Sequence, residues 1–176
     1  MAVSEPAVFF DKDGTLVENV PYNVDPRRIA LAPGAVESVT RLAAQGYRII
    51  VVSNQPGVAL GYFGQADLAG VRQRLEALLP ALDGFYYCPH APGAGCDCRK
   101  PACGLLLRAA REHAVDLASS WMVGDILDDV EAGRRAGCRT VLIDNGNETE
   151  WRPGPLRTPD RVARDLREAA YAILCS

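Results

Sequence analysis

The sequence predicts an α/β protein, a three-layer arrangement with a mainly parallel sheet between helices on both faces. Three observations lead there. Apolar, β-branched or aromatic runs alternate with helical patterns along the chain. The first run, Ala7 to Phe10, carries no polar residue, as a strand covered on both faces requires. Several runs end on an acid or a hydroxyl, and parallel strands gather such ends along one edge.

Ala7 to Phe10 reads as the first strand, and residues 17–32 as irregular, because Pro21, Pro26 and the following Pro33 oppose a long helix. Pro33-Gly34-Ala35 opens a helix with Val36, Val39 and Leu42 at helical spacing and Gly46 at its end. Tyr47 to Val52 is a second strand, stopping at Ser53-Asn54-Gln55. Gln65 to Leu79 is an amphipathic helix with Leu68, Val71, Leu75, Leu78 and Leu79 on one face. Phe85-Tyr86-Tyr87 is a short third strand, Cys103 to Ala114 a third helix, and Trp121-Met122-Val123 a fourth strand stopped by Gly124-Asp125. Asp128 to Ala136 is a helix ended by Gly137, Arg139 to Ile143 a fifth strand, and Arg161 to Leu174 a closing helix. No repeat or low-complexity segment interrupts the series, so residues 1–176 are expected to form one domain.

Composition excludes several classes of function. With 48% hydrophobic residues the chain can bury one sizeable core. A net charge of −3 gives no reason to expect a nucleic-acid backbone as partner. No stretch approaches the roughly 18 apolar residues of a membrane span, and the first residues lack a basic leader. A cytoplasmic, monomeric protein is expected, without membrane or nucleic-acid partner.

The chemistry concentrates at the strand ends. Val8-Phe9-Phe10-Asp11-Lys12-Asp13-Gly14-Thr15 aims two carboxylates at one point, and Gly14 lets the backbone turn sharply beside them. Ser53 ends the second strand, Asp125 the fourth, and Arg99-Lys100-Pro101 precedes a helix. Three acids, a hydroxyl and a lysine suit phosphoryl transfer from a monoester. Asp11 attacks phosphorus, and Asp13 protonates the leaving alkoxide and then activates water. Magnesium held by Asp11, Asp125 and the Asp13 carbonyl offsets the repulsion between anions. Ser53 and Lys100 hold the transferring group, and Asp129 orients the metal site from behind. Asp128 is read as an acidic helix start.

Asp11-Lys12-Asp13-Gly14-Thr15, Ser53-Asn54-Gln55, Lys100, and Gly124-Asp125 with Asp129 resemble, in order, the four motifs of the haloacid dehalogenase-like phosphatases. The resemblance covers Ala7 to Asp144 and implies a Rossmann-like core with magnesium-dependent phosphate ester hydrolysis. The acid at Asp13 is similar to that of the superfamily's phosphatases, whereas its dehalogenases lack it. The intervals from Asp13 to Ser53 and from Ser53 to Lys100 are nearly consumed by assigned elements, so no cap domain is expected. Specificity would then come from loops: Glu18 to Asp25, Gln55 to Phe63, and a Cys/His loop.

That loop carries Cys88, His90, Cys96 and Cys98, a C-x-H-x5-C-x-C pattern suited to a closed structural zinc site. Cys103 is an alternative to His90 in an all-thiolate set. Cys138 and Cys175 are read as packing residues and His113 as a surface residue. The loop runs directly into Arg99-Lys100, so zinc would stiffen the segment that delivers the lysine.

Within the superfamily the chain resembles two capless zinc-containing families, the D-glycero-D-manno-heptose 1,7-bisphosphate 7-phosphatases and the histidinol-phosphate phosphatases. Residues 53–63 are similar to the heptose-type loop N-Q-S-G-x-A-R-G-x-F, whereas the five-residue gap between His90 and Cys96 looks more like the histidinol type. The heptose resemblance implies a phosphorylated sugar bound by Lys12, Asn19, Tyr22, Ser53, Asn54, Gln55, Arg99 and Lys100. Leu60 stands where that pattern has arginine, and Ile126 where it has lysine. A nucleic-acid 3′-end phosphatase and a non-catalytic zinc module are the readings of other classes.

Overall fold

The computed structural model describes residues 4–176. Six strands form one sheet: β1 (Ala7–Phe10), β2 (Arg48–Asn54), β3 (Leu82–Cys88), β4 (Trp121–Gly124), β5 (Arg139–Ile143) and β6 (Arg161–Ala163). Their order is β3-β2-β1-β4-β5-β6, and every pairing is parallel. The helices are α1 (Ala35–Ala44), α2 (Gln65–Leu78), α3 (Gly104–His113), α4 (Leu127–Ala136) and α5 (Leu166–Leu174). Two short 3-10 turns, Pro26–Arg28 and Leu117–Ser119, punctuate the connections.

Alternation along β1 builds the two core layers. Val8 and Phe10 pack with Val39 and Leu42 of α1, Leu75 of α2 and Ile173 of α5. Ala7 and Phe9 point the other way, onto Leu106 and Ala109 of α3 and Ala132 of α4. Each β1 residue is almost wholly buried, which explains a strand with no polar side chain. The chain winds outward from β1 to β3, then crosses back to β4 on the other side of β1. The strand order therefore reverses between β1 and β4, and a ligand crevice opens at the carboxyl ends of those two strands.

Some local expectations change. The closing helix is divided: Arg161–Ala163 pairs with β5 as an edge strand, and α5 begins after Asp165, whose side chain accepts from the Glu168 amide at 2.9 Å. The free edge of β5 outcompetes helix propensity there, and the Asp165 cap fixes the new start. β2 and β3 run longer at both the Ser53 and Cys88 ends, because the ladder continues from Ser53↔Tyr87 to Asn54↔Cys88. Val36, placed on the apolar face by spacing, is half exposed, and Ala35 is buried in its stead. Cys138 packs in the core as expected, whereas Cys175 lies exposed at the end of α5.

Helix α4 sits close on the sheet because Gly133 has no side chain. A Cβ there would stand 2.6 Å from Met122 Cβ and 2.8 Å from Thr140 Cγ2. Gly133→Ala is expected to destabilise the fold by about 1–3 kcal/mol through overpacking, read as a lower urea midpoint at unchanged slope.

Candidate active site

β1 delivers Asp11, whose amide still donates to the Val123 carbonyl at 2.9 Å. The chain then folds back at once: the Lys12 carbonyl accepts from the amides of Thr15, Leu16 and Val17. Gly14 turns with φ +83°, and a Cβ there would lie 2.2 Å from Asp125 Oδ2. The glycine of the motif is thus required twice, for its backbone angle and for the space beside Asp125. No donor among the described residues takes the Asp13 carbonyl, which leaves that oxygen available to a ligand.

β4 delivers Asp125, and the first turn of α4 delivers Asp129. One Asp129 oxygen accepts from the amides of Asp125 and Ile126 at 3.2 and 3.3 Å. The other meets Lys100 Nζ at 2.7 Å. The same ammonium reaches Asp11 Oδ1 at 2.6 Å and the Val52 carbonyl at 2.9 Å, and it is only 2% exposed. Asn54 fixes Lys100 from both sides of its backbone, accepting from its amide at 3.0 Å and donating to its carbonyl at 3.1 Å.

Electrostatics follow from that burial. Desolvation pushes the Asp11 carboxyl well above its usual range, and Asp129, Asp125 and Asp13 add to it against the pull of Lys100. Burial, then Asp129, raises Asp125 to about 6. Burial alone would lower the Lys100 ammonium, but Asp11 and Asp129 overcome it and hold the charge more firmly than in water. One lysine faces three acids, so the cluster keeps unbalanced negative charge. One oxygen each of Asp11, Asp125 and Asp129 lies within 4.8 Å of the others. Asp129 has both oxygens engaged, whereas Asp11 and Asp125 each keep lone pairs free. Hard carboxylate oxygens with residual negative charge and a free carbonyl suit a small divalent cation such as magnesium.

Asp13 stands at the rim. Its carboxylate is tied to the Lys12 ammonium on one oxygen and to Gln55 Nε2 at 3.0 Å on the other. Gln55 Nε2 also donates to Ser53 Oγ at 2.8 Å, so the end of β2 and the first motif share one network. Two further residues of the first and second motifs have structural partners here. The Lys12 side chain is buried on Asp13, and the Asn54 amide, which also lines the cavity beside Asp13, holds the Lys100 backbone; both thereby order neighbouring residues of the site.

Two cavities flank the acids. One of about 240 Å³ is lined by Asp13, Asn19, Tyr22, Asn54 and Gln55, with Pro21 and Pro56. At its mouth the Tyr22 ring meets the Tyr62 ring edge-on, centroids 4.9 Å apart, joining the loops of residues 18–25 and 55–63. The other, about 330 Å³, lies on the Cys/His side and is lined by Arg99, Lys100, Asp128 and the Gly93–Gly95 turn. Arg99 belongs to this second cavity, where its Nη1 is buried with no partner. Asp128 pairs with Arg157 at 3.0 Å and stays outside the acid cluster.

Cys88, His90, Cys96 and Cys98 converge as the spacing requires. His90 Nδ1 lies 3.4 Å from Cys88 Sγ and 3.2 Å from Cys98 Sγ; Cys88 Sγ lies 3.7 Å from Cys96 Sγ and 3.2 Å from Cys98 Sγ. Tetrahedral zinc bonds imply ligand separations of about 3.4–3.8 Å; two of these separations fall in that range and two are about 0.2 Å shorter, so small side-chain shifts fit the donor set to that ion. Cys103 lies outside the group.

The sequence reading passed over Thr15, Asn145, Asn147 and Glu148. Thr15 Oγ1 donates to Asp125 Oδ1 at 3.3 Å, and Asn147 Nδ2 to Asp125 Oδ2 at 2.7 Å. Asn145 Nδ2 donates to the Gly14 carbonyl at 2.8 Å, and Glu148 accepts from the Leu127 amide at 2.7 Å. Asn145-Gly146-Asn147 reads in sequence only as a turn, and nothing local points it at the first motif.

A strand-end acid cluster on a doubly wound sheet, gripped by a buried lysine, defines a hydrolase of the haloacid dehalogenase-like class. A family model described as HAD-hydrolase-like matches residues 97–169. The D-glycero-beta-D-manno-heptose-1,7-bisphosphate 7-phosphatase of Pseudomonas aeruginosa is 33% identical over 98% of this chain and 99% of its own. That of Escherichia coli K12 is 37% identical over 98% and 96%. The D,D-heptose 1,7-bisphosphate phosphatase of B. bronchiseptica, solved with magnesium and phosphate, superposes with a TM-score of 0.85 at 32% identity, over 97% and 98% of the two chains. The chain belongs to the haloacid dehalogenase-like phosphatases, in the family that contains these heptose-bisphosphate enzymes.

Lys100 balances two buried acids in the absence of metal. Lys100→Met is therefore expected to lower the unfolding free energy of metal-free protein by about 3–5 kcal/mol, measured by urea denaturation. An unchanged midpoint would show that the pairing contributes nothing to the fold.

Proposed function

We propose that the chain is a magnesium-dependent phosphomonoester hydrolase that removes the 7-phosphate of D-glycero-D-manno-heptose 1,7-bisphosphate through an aspartyl-phosphate. The observation that carries this reading is Lys100, shared between Asp11 and Asp129 beside Asp125. It leaves the second Asp11 oxygen as the unpaired nucleophile. The magnesium-and-phosphate complex of the B. bronchiseptica relative supports the same assignment.

The free Asp11 oxygen forms a bond to phosphorus as the bond to the sugar oxygen breaks, and Asp13 gives that oxygen its proton. Asp13, now the base, takes a proton from water, which attacks phosphorus, frees Asp11 and releases phosphate. Gln55 and Lys12 hold Asp13 at the rim for both transfers. Ser53 and Lys100 bind the phosphoryl oxygens. When bound by Asp11, Asp125 and the Asp13 carbonyl, magnesium supplies positive charge against the anionic phosphoryl group.

The sugar lies toward Asn19, Tyr22 and Gln55, and the partnerless Arg99 guanidinium serves the second phosphate. With Leu60 and Ile126 in place of cations, Arg99 carries that recognition without their help. Zinc at Cys88, His90, Cys96 and Cys98 fixes the Arg99-Lys100 segment as a structural ion. We read residues 1–176 as one capless domain, monomeric and cytoplasmic. No helix among the described residues is long and apolar enough to cross a membrane. The five-residue gap of the Cys/His loop favours a second reading, histidinol phosphate as substrate.

Phosphate release across heptose 1,7-bisphosphate, histidinol phosphate and hexose phosphates is expected to favour the heptose; a preference for histidinol phosphate overturns the assignment. Asp11→Asn is expected to abolish release while keeping the melting temperature near wild type. Purified protein should carry about one zinc per chain by metal analysis, in line with a closed four-ligand site. Chelating the zinc should lower both stability and activity, and magnesium alone should not restore either.

A further inference from the structure

The loop after β5 is tied to both segments that carry the site. Asn145 holds the Gly14 carbonyl, Asn145 Oδ1 accepts from the Asn147 amide at 3.2 Å, and Glu148 holds the Leu127 amide at the start of α4. Asn147 itself holds Asp125 Oδ2 at 2.7 Å. The remaining oxygen, Oδ1, has only the long contact from Thr15 at 3.3 Å.

We propose that Asn147 is a positioning residue for the divalent cation, turning Asp125 so that Oδ1 faces the metal. This rests on the magnesium site of the preceding reading. A carboxylate offers two equivalent oxygens, and a fixed donor on one decides the direction of the other. Asn147 does so as a neutral amide. It leaves the Asp125 charge for the cation, whereas a lysine or arginine at this distance would neutralise it. Asn145 in turn fixes the loop that aims Asn147.

Gly14 fits the same design. A Cβ on Gly14 would lie 2.5 Å from Asn147 Nδ2 as well as 2.2 Å from Asp125 Oδ2. The side-chain-free position in the first motif is where the loop after β5 meets Asp125. Asn147 is half-buried and lines neither cavity beside the acids, which separates its role from substrate binding.

The test is magnesium binding by calorimetry on full-length, zinc-loaded protein without substrate, for wild type, Asn147→Ala and Asn147→Leu. Leucine keeps the side-chain volume and removes the donor, so it carries the measurement if alanine impairs folding. Both variants are expected to weaken magnesium binding by about tenfold or more. With p-nitrophenyl phosphate as probe, they should need correspondingly more magnesium for half-maximal rate. At saturating magnesium, kcat and KM should return close to wild type. Asn145→Ala should produce a smaller shift in the same direction. Unchanged magnesium affinity in a folded variant overturns the proposal, as does a loss of kcat that saturating magnesium does not restore. Wild-type protein that neither binds magnesium nor hydrolyses the probe overturns the underlying phosphatase reading instead.

Discussion

The ammonium of Lys100 sits between two carboxylates in a place water scarcely reaches, and the surrounding structure is arranged to keep it there. A buried charge of this kind is tolerated only when opposite charge and hydrogen bonds replace its hydration. Asp11, Asp129 and the Val52 carbonyl supply that replacement from three different strand ends or helix starts. Asn54 clamps the Lys100 backbone, so the end of β2 holds the segment that the Cys/His loop delivers. The lysine thereby joins β1, β2 and α4 at the point where the strand order reverses.

From that arrangement comes a division of labour among acids of one residue type. Asp129 has every oxygen engaged and serves as a cap and counter-charge. Asp11 has one oxygen committed to Lys100 and one free, which is the condition for a nucleophile. Asp125 is held through one oxygen by Asn147, and Asp13 stands apart at the rim between Lys12 and Gln55. Identical side chains acquire different roles because each has a different number of unused lone pairs.

The Cys/His loop makes the same point about stability. Of residues 88–98 only the cysteines reach a core layer, Cys88 within it and Cys96 and Cys98 against it, and the segment contains Gly93 and Gly95, both at positive φ. Beyond those cysteines the segment has no apolar anchor, and the convergence of Cys88, His90, Cys96 and Cys98 is what draws it together. Cys98 lies two residues before Lys100, and this closeness in the chain connects the Cys/His cluster to the acid cluster.

The strand-and-helix alternation, the strand-end acids and the spacing of the Cys/His loop were legible in the sequence, because each rests on local chemistry: hydrophobic periodicity, a turn glycine, a ligand pattern. Asp11, Lys100 and Asp125 met where their motifs suggested, with Asp13 at the rim beside them, and Cys88, His90, Cys96 and Cys98 converged. Tertiary structure decided what no local signal carries. It made an edge strand of Arg161–Ala163, since only the folded sheet offers β5 as a partner. It paired Lys12 with Asp13 and Asn54 with the Lys100 backbone, and it gave Asn145 and Asn147, more than 130 residues after Gly14 and about 20 after Asp125, a place in the site. A side chain's partner depends on which strand ends lie side by side, and that neighbourhood exists only once the sheet has formed.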